Sequence, residues 1–329
     1  MDQLLNKNEH SNKIGILLTN VGTPDELTLP AVKKYLSEFL DDPFVISLPT
    51  IVRKMLVHGL IVPFRSPKSF IKYKKIWTEQ GSPLRYHLNN LVKNLQEKID
   101  RDNYLVIGAM RYGSPSLQLA LKKFEQNNIF NIIVLPLYPQ WSQSTTESVI
   151  LKLNELSQNK FKLKFKFKFI EPFFKDPHFL ACHKQLIENS INNFKPDFIL
   201  FSFHGLPDKP IAQRYFQECQ ETAIKLSDFI GDLPFKISFQ SRLGLTKWLE
   251  PATDTTIKQV AAQGYKRLMV VSPSFVADGL ETLEELAIEG AQQFKTLTAN
   301  TGEFYLVPSL NSSPDWVEAI SKWIRNQNV

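Results

Sequence analysis

Strand-like apolar runs alternate with helical segments along most of this chain. Two groups of four such runs can be recognised, at residues 14–19, 104–110, 129–136 and 164–170, and then at residues 198–203, 235–239, 268–272 and 304–307. Parallel strands need long crossover connections, which are usually helical. The alternation therefore predicts an α/β fold with two four-stranded parallel sheets, each covered by helices on both faces.

The length of the chain also favours two domains, because 329 residues exceed what one hydrophobic core usually serves. We predict a first domain at residues 1–172 and a second at residues 173–310, with the break in the phenylalanine- and proline-containing segment 171–177. Residues 311–329 begin with Ser-Pro-Asp, a helix start signal, and have helical apolar spacing. They are predicted to form a C-terminal helix that packs back on the first domain.

Residues 42–64 interrupt the regular alternation and carry more apolar side chains than a connection between strand and helix needs. We call this segment the apolar lip. Two interpretations are open. It is either a buried helix or the exposed edge of a site for a large apolar ligand, in contact with a membrane surface.

Charge and hydropathy exclude several classes of protein. The chain has 39 Lys and Arg against 33 Asp and Glu, a net charge of +6, with the basic residues mostly scattered. This charge is compatible with anionic small molecules, an acidic membrane surface or nucleic acid and does not choose among them; no nucleic-acid partner is expected. The first ten residues lack the apolar region of a signal peptide, and no stretch approaches 18 uncharged apolar residues. A cytoplasmic location is expected, with peripheral membrane contact through the apolar lip as the open alternative.

Permanently bound cofactors are not expected. Cys182 and Cys219 are the two cysteines and form no CxxC motif, which argues against a disulfide scaffold, a thiolate zinc site and an iron–sulfur cluster. Gly22 follows a predicted strand, but no GxGxxG or GK[ST] motif continues from it, which argues against a nucleotide site.

A histidine lies at the carboxyl end of one predicted strand. The apolar run 198–203 leads directly into His204, and Gly205 and Pro207 then end the strand. Ligands of open parallel sheets bind beyond the carboxyl ends of the strands, and Asn20 and Arg111 also follow such ends. We therefore expect the active cleft between the two domains, although a histidine here could also be a structural residue that ends the strand.

Three glutamates at intervals of four residues follow the strand 268–272. Glu281, Glu285 and Glu289 would share one face of a helix, where like charges cost about 0.2–0.5 kcal/mol per pair. A structural role alone gives no reason for this cost, although a solvated helix face remains an alternative for Glu285 and Glu289. A base near an acidic column indicates that the site handles protons or cations.

The motifs at these positions resemble those of ferrochelatases, enzymes that insert Fe²⁺ into a porphyrin to make haem. The similarity runs nearly end to end and in the family's order. It comprises residues 15–24 (GILLTNVGTP), 106–112 (VIGAMRY), 135–142 (LPLYPQWS), 203–207 (FHGLP), 239–242 (FQSR), 248–249 (WL) and the acidic segment.

The resemblance implies a chelatase-like pair of Rossmann-like domains around a porphyrin cleft. It implies that His204, at its strand end, and Glu281 are the catalytic and iron-contacting residues. It also implies that the helix carrying Glu281 is a π-helix, with Glu285 and Glu289 on it as an acidic relay. A set of other residues is expected to bind the porphyrin by ring contact or by pairing with propionates: Arg65, Tyr73, Ser82, Arg111 and Trp248. For Arg65 and Arg111, a surface or ion-pairing role is the alternative.

The chain differs from some members of the family in two respects, one that concerns the substrate and one that concerns an iron–sulfur cluster. Relatives from Gram-positive bacteria that act on coproporphyrin carry Tyr where this chain has Val21, which favours protoporphyrin IX. The cluster-binding cysteines of animal enzymes have no counterpart after Cys219. The expected reaction takes Fe²⁺ and protoporphyrin IX as substrates and releases two protons, as the last step of haem biosynthesis. The alternatives are a chelatase for coproporphyrin III or sirohydrochlorin, and a non-catalytic haem or porphyrin carrier.

Overall fold

Two four-stranded parallel sheets form the centre of the computed structural model, which describes residues 13–242 and 246–327. The prediction that the first ten residues do not form a signal peptide concerns residues outside this range. The first sheet contains β1 (Ile14–Thr23), β2 (Tyr104–Gly113), β3 (Asn131–Pro136) and β4 (Lys166–Phe169), and the second contains β5 (Phe198–His204), β6 (Phe235–Gln240), β7 (Arg267–Val271) and β8 (Glu303–Leu306). All eight predicted strands are present, and the predicted fold class is confirmed.

Eleven α-helices and three π-helical segments are described in residues 13–242 and 246–327. The α-helices are α1 (Leu29–Leu40), α2 (Thr50–Leu56), α3 (Val62–Ile76), α4 (Pro83–Lys98), α5 (Leu117–Gln126), α6 (Ser148–Asn159), α7 (Pro177–Phe194), α8 (Ala212–Ser227), α9 (Thr253–Ala262), α10 (Ala291–Leu297) and α11 (Pro314–Arg325). The π-helical segments are Val57–Ile61, which joins α2 to α3, Gln143–Glu147, and Leu280–Gly290, which we call the acidic helix.

Both sheets have the same topology. The strand orders are β2-β1-β3-β4 and β6-β5-β7-β8, so β1 and β5 occupy equivalent inner positions. In the second sheet His204 is the register partner of Gln240, whereas pairing with β7 ends at Phe201 and Val271. The end of β5 therefore extends beyond β7, and His204 lies past the sheet on that side.

The two sheets share a continuous hydrophobic core. One cluster of buried side chains includes Leu18 and Met110 from the first sheet together with Phe201 and Phe203 from the second. The C-terminal helix α11 joins both halves, because it contacts α4 and α7. Its Trp316 is fully buried, with its ring centroid 5.6 Å from that of Phe173.

A buried histidine in this core makes the fold sensitive to acid. His183 on α7 is 2% exposed, and neither ring nitrogen has a hydrogen-bond partner in residues 13–242 and 246–327. Burial lowers the pKa of His183 to about 4. The unfolded chain therefore takes up this proton near pH 6.5 and the folded chain near pH 4, so stability is lost as the pH falls through that interval.

We expect His183→Met to remove this loss, since methionine fills a similar volume without needing a hydrogen bond. The wild type should lose about 2 kcal/mol more unfolding free energy between pH 7.5 and pH 5 than the variant does, from the interval between the two pKa values. Urea unfolding at both pH values measures the difference. The same pH dependence in both proteins would contradict the assignment.

The apolar lip is exposed on its outer side, so the interpretation as a buried helix is wrong. Ile51, Met55 and Phe64 are 75%, 71% and 71% exposed, while Val57 on the inner side is fully buried. The lip comprises residues 42–49, α2, the π-helical segment Val57–Ile61 and the start of α3. No helix in the described part of the chain is long and apolar enough to cross a membrane.

Candidate active site

The backbone of His204 is fixed from both sides. On one side β5 pairs with β6 up to His204 and Gln240. On the other side, beyond the end of β7, the His204 N–H donates to Ser274 Oγ at 3.0 Å and Tyr215 Oη donates to the His204 carbonyl oxygen at 2.8 Å. Ser274 and Tyr215 also hydrogen-bond each other. Two side chains thus replace the missing strand and hold His204 in place.

The orientation of the imidazole defines its basic atom. His204 Nδ1 lies 2.6 Å from the carbonyl oxygen of Gly205. A carbonyl oxygen accepts but cannot donate, so Nδ1 carries the hydrogen of the neutral ring and Nε2 keeps its lone pair. Nε2 is therefore the atom of His204 that can accept a proton or contact a metal ion.

Gly205 allows Trp248 to lie against the end of this strand. A Cβ atom at Gly205 would lie 2.6 Å from the Gln240 carbonyl oxygen and 3.3 Å from a Trp248 ring carbon. Trp248 is held next to Pro207 by a backbone bridge. The absence of a side chain at Gly205 thus brings Trp248, a residue predicted to bind porphyrin, beside His204.

The acidic helix is anchored to the strand next to His204. Gln240 Nε2 donates to the backbone oxygen of Glu281 at 2.9 Å. Ser241 donates to both carboxylate oxygens of Glu285, from its backbone N–H at 2.6 Å and from its hydroxyl at 2.5 Å. Because Gln240 is the register partner of His204, these bonds bring Glu281 and Glu285 to the same end of the sheet as the imidazole.

Burial and neighbouring charges determine the pKa of Glu285. Burial raises the pKa of Glu285, and Glu281 raises it further, while the hydrogen bonds from Ser241 and the charge on His204 partly offset the increase. A carboxyl group with a raised pKa can take up a proton closer to neutral pH than an exposed one. The arrangement places a proton-accepting group one helical turn from Glu281.

The three glutamates of the predicted column have different environments. Glu281 and Glu285 are half-buried next to β6, whereas Glu289 is exposed and accepts a hydrogen bond from Lys72 Nζ at 2.8 Å. Sequence reasoning missed Glu284, whose fully buried carboxylate accepts bonds from Lys72 and Lys75 on α3 at 2.7 and 2.8 Å. No local pattern could have paired residues more than 200 positions apart.

Side chains of α3, in the first half of the chain, face Glu281 of the acidic helix. Burial raises the pKa of Tyr73, and the charge on Glu281 adds to this increase. Burial lowers the pKa of Arg65, and Glu281 and Tyr73 act in the opposite direction. Arg65 Nη1 is buried without a hydrogen-bond partner among the described residues. Arg65, Tyr73 and Glu281 are therefore close enough to interact electrostatically.

Ser82 and Tyr73 meet at the end of β1. Thr23 Oγ1 donates to Ser82 Oγ at 2.7 Å, and Thr23 also hydrogen-bonds Tyr73. Tyr35 on α1 is buried beside Tyr73, with ring centroids 6.4 Å apart, and was not identified from the sequence. These contacts bring two of the predicted porphyrin-binding residues together.

Arg111 has a different environment from the other predicted site residues. Its guanidinium donates to Asp42 Oδ2 at 2.6 Å and to Ser148 Oγ at 2.8 Å, and both side chains of the ion pair are largely buried. The pair ties the start of the apolar lip to β2. Arg111 therefore forms an ion pair, which was the alternative to propionate binding. Its contact with a porphyrin propionate stays a prediction.

The family model for ferrochelatase matches residues 13–328 of this chain. The chain belongs to the ferrochelatase family. The Coxiella burnetii (strain RSA 493 / Nine Mile phase I) ferrochelatase is 41% identical over 339 residues, covering 95% of this chain and 94% of that protein. The Legionella pneumophila (strain Lens) ferrochelatase is 39% identical over 336 residues, covering 95% and 99%. The family predicted from the motifs is confirmed, and with it the class of enzyme, a metal chelatase of haem biosynthesis.

A solved structure of a second chelatase has a similar fold. The structure of SirB from Bacillus subtilis with Fe³⁺ gives a TM-score of 0.58 at 10% sequence identity and covers 95% of this chain and 94% of that one. At this identity the likeness concerns the fold. It supports the predicted chelatase-like architecture of two parallel sheets.

The ferrochelatase motifs differ in how they contribute to the site. The FHGLP motif supplies His204 and Gly205, and the FQSR motif supplies the anchors Gln240 and Ser241, which sequence reasoning had not assigned a role. The π-helical form of the acidic helix, implied by the family, is observed. Residues 13–242 and 246–327 contain no group of three or more His, Cys, Asp and Glu side chains arranged to hold a metal ion.

We expect Tyr215→Phe to slow metal insertion without changing the affinity of the protein for porphyrin. The change removes one hydrogen bond to the His204 carbonyl, worth about 1 kcal/mol, or roughly a fivefold loss in kcat if it is realised in the transition state. Steady-state kinetics with both substrates measures this. A raised porphyrin KM with normal kcat would contradict a role in positioning His204.

Proposed function

We propose that this protein inserts Fe²⁺ into protoporphyrin IX to form protohaem and releases two protons, in the last step of haem biosynthesis. The observation that carries this proposal is the anchoring of Glu281 and Glu285, through Gln240 and Ser241, near His204, whose Nε2 keeps its lone pair. A carrier would need the cleft but would have no use for a base beside these two carboxylates.

Metal insertion requires a porphyrin to lose two pyrrole protons and Fe²⁺ to lose bound water. A planar ring hides its nitrogen lone pairs, so an enzyme helps by holding the ring in a bent conformation, at a strain of about 1–5 kcal/mol drawn from binding energy. Trp248 and the apolar lip are the candidates for holding the ring.

We assign the proton transfers to His204 and the acidic helix. His204 Nε2 accepts a pyrrole proton, since Nδ1 is occupied by its bond to Gly205. Glu285 then offers the next acceptor, because burial raises its pKa. Fe²⁺ binds both imidazole and carboxylate, and a site that must release its metal uses few ligands, so His204 and Glu281 suffice as iron contacts.

The opposite wall suits the acidic side groups of a porphyrin. Arg65 presents a buried guanidinium nitrogen that lacks a hydrogen-bond partner in the described part of the chain. A propionate would supply that partner as a charge-assisted bond. Tyr73 and Ser82, joined through Thr23, offer hydroxyl groups on the same side.

Comparing tetrapyrroles tests this function. The protein is incubated anaerobically with Fe²⁺ and either protoporphyrin IX, coproporphyrin III or sirohydrochlorin, and the loss of free-porphyrin fluorescence is followed with the growth of the metallated spectrum. We expect turnover with a preference for protoporphyrin IX. A preference for coproporphyrin III would keep the chemistry and overturn the interpretation of Val21. Tight binding of any ring without turnover would make the protein a carrier.

We also propose that the cytoplasmic protein touches membranes through the apolar lip. Ile51, Met55 and Phe64 are exposed there, together with Lys54 of the lip and Lys68, which follows the lip on α3. Apolar side chains flanked by lysines favour an anionic bilayer surface. We expect the double variant Met55→Ser/Phe64→Ser to bind vesicles containing anionic lipid at least several-fold more weakly in a flotation assay. Equal binding of both proteins would rule out the lip as the contact.

A further inference from the structure

Two lysines of α3 bind two glutamates of the acidic helix. Lys72 Nζ donates to Glu284 at 2.7 Å and to Glu289 at 2.8 Å, and Lys75 Nζ donates to Glu284 at 2.8 Å. The Glu284 side chain is 1% exposed, whereas both lysine side chains are partly in solvent. We call these four residues the lysine clasp.

Apolar contacts continue the same interface. Leu280 and Leu283 of the acidic helix pack on the cluster that contains Tyr73 and Ile76 of α3. Lys72 is the neighbour of Tyr73 in sequence, and Tyr73 interacts with Glu281 across the cleft. The lysine clasp therefore holds the wall that carries Tyr73 at a set distance from the wall that carries Glu281.

The lysine clasp divides the acidic helix into two parts with different charge. In the outer part the charges of Glu284 and Glu289 are balanced by those of Lys72 and Lys75. In the inner part, Glu281 and Glu285 form no ion pair with a lysine or arginine of residues 13–242 and 246–327, and Glu285 is held by the uncharged Ser241. Arg65 interacts electrostatically with Glu281, but the two inner carboxylates outnumber that single positive charge, so a cation is attracted to the inner part more strongly than to the outer part.

A metal ion that used Glu289 would have to displace Lys72. That lysine also donates to the buried carboxylate of Glu284, which would then keep Lys75 as its remaining charged partner, so displacement costs one charge-assisted hydrogen bond. Displacement would also loosen α3, which carries Arg65 and Tyr73. A metal ion that passed along Glu284 and Glu289 would therefore break the contacts that hold α3 against the acidic helix.

We propose that Lys72 and Lys75 reserve Glu284 and Glu289 for anchoring α3, so that Fe²⁺ contacts the acidic helix at Glu281 and does not travel along Glu289. This inference rests on the proposed function, because it concerns the route of that enzyme's metal substrate. Lys72 is a positioning residue in this scheme and also keeps cations from the outer acids.

Titration of the full chain with Co²⁺, in place of the oxidation-sensitive Fe²⁺, tests the inference without turnover. We compare wild type, Glu289→Gln and Lys72→Met by calorimetry and by the cobalt absorption spectrum, with Glu281→Gln as the matched control. The wild type and Glu289→Gln should bind Co²⁺ with dissociation constants within about twofold of each other. Lys72→Met should gain a second, weaker site, and adding Glu289→Gln should remove it.

The outcomes separate this inference from the proposed function. A tenfold weaker affinity in Glu289→Gln would overturn the inference, because Glu289 would then contact metal in the native protein. A Lys72→Met variant without an additional site would also overturn it. If Glu281→Gln binds Co²⁺ as tightly as the wild type, the proposed metal site itself has failed, whatever the result at Glu289.

Discussion

His204→Ala is expected to lower the rate of metal insertion by at least about a hundredfold while porphyrin affinity stays within a few-fold of wild type. A positioned general base contributes about 10²–10⁴ in rate. The alanine variant lacks Nε2 but keeps the backbone bonds to Ser274, Tyr215 and β6, so the strand end should stay folded. Anaerobic turnover measures the rate, and fluorescence titration with porphyrin measures the affinity.

His183→Met is the matched control for this experiment. It also removes a histidine, but His183 is buried on α7 and has no hydrogen-bond partner in the part of the chain that the structure describes. It should turn over at the wild-type rate at neutral pH. A His204→Ala enzyme that still works at more than a tenth of the wild-type rate would remove His204 from the catalytic role.

Glu281→Gln should reduce metal insertion by about ten- to a hundredfold and raise the KM for metal more than the KM for porphyrin. The substitution removes a charge near the imidazole but changes little in shape. Gln240 binds the backbone oxygen of residue 281, so the anchor of the acidic helix is retained. Loss of a charged contact made to the metal in the transition state accounts for an effect of this size.

Glu26→Gln controls for the change in net charge, since Glu26 is exposed before α1. Thermal unfolding of both variants shows whether the fold is intact. Wild-type kinetics for Glu281→Gln would exclude Glu281 from the metal site, and equal losses in both variants would trace the effect to overall charge.

The architecture follows from features that the sequence displays locally. Apolar runs of strand length, separated by helical segments, give eight strands and two parallel sheets without knowledge of any contact. The end of β5 is visible in the same way, because Gly205 and Pro207 stop the strand after His204. The exposed face of the apolar lip was left open, because apolar side chains occur on both its buried and its exposed side and no polar face marks the exposed one.

The precise contacts of the site depend on pairs that are distant in the chain. Lys72 and Glu284 are 212 residues apart, and Arg111 and Asp42 are 69 apart. Such pairs are set by how elements distant in the sequence pack together, which no local pattern encodes. Gln240 and Ser241 were visible within a motif, but their role as anchors requires the register between β5 and β6. The π-helical form of the acidic helix was expected from the family resemblance alone.

The duplicated topology explains why both halves contribute to one cleft. β1 and β5 occupy equivalent positions in their sheets, and each ends at residues of the site, Thr23 in the first and His204 in the second. Ligands of such sheets bind beyond the carboxyl ends of the strands. Two copies of the unit, sharing one core, thus provide a wall with Arg65 and Tyr73 and a wall with His204 and Glu281.

Proton release measured together with haem formation tests the central claim most directly. The protein is mixed anaerobically with Fe²⁺ and excess protoporphyrin IX in weakly buffered solution containing a pH indicator, and haem absorbance is recorded at the same time. We predict two protons released per haem over many turnovers, with both signals lost in His204→Ala. Binding of one porphyrin per chain with no proton release, or haem formation at the same rate in His204→Ala, would contradict the proposed function and its site.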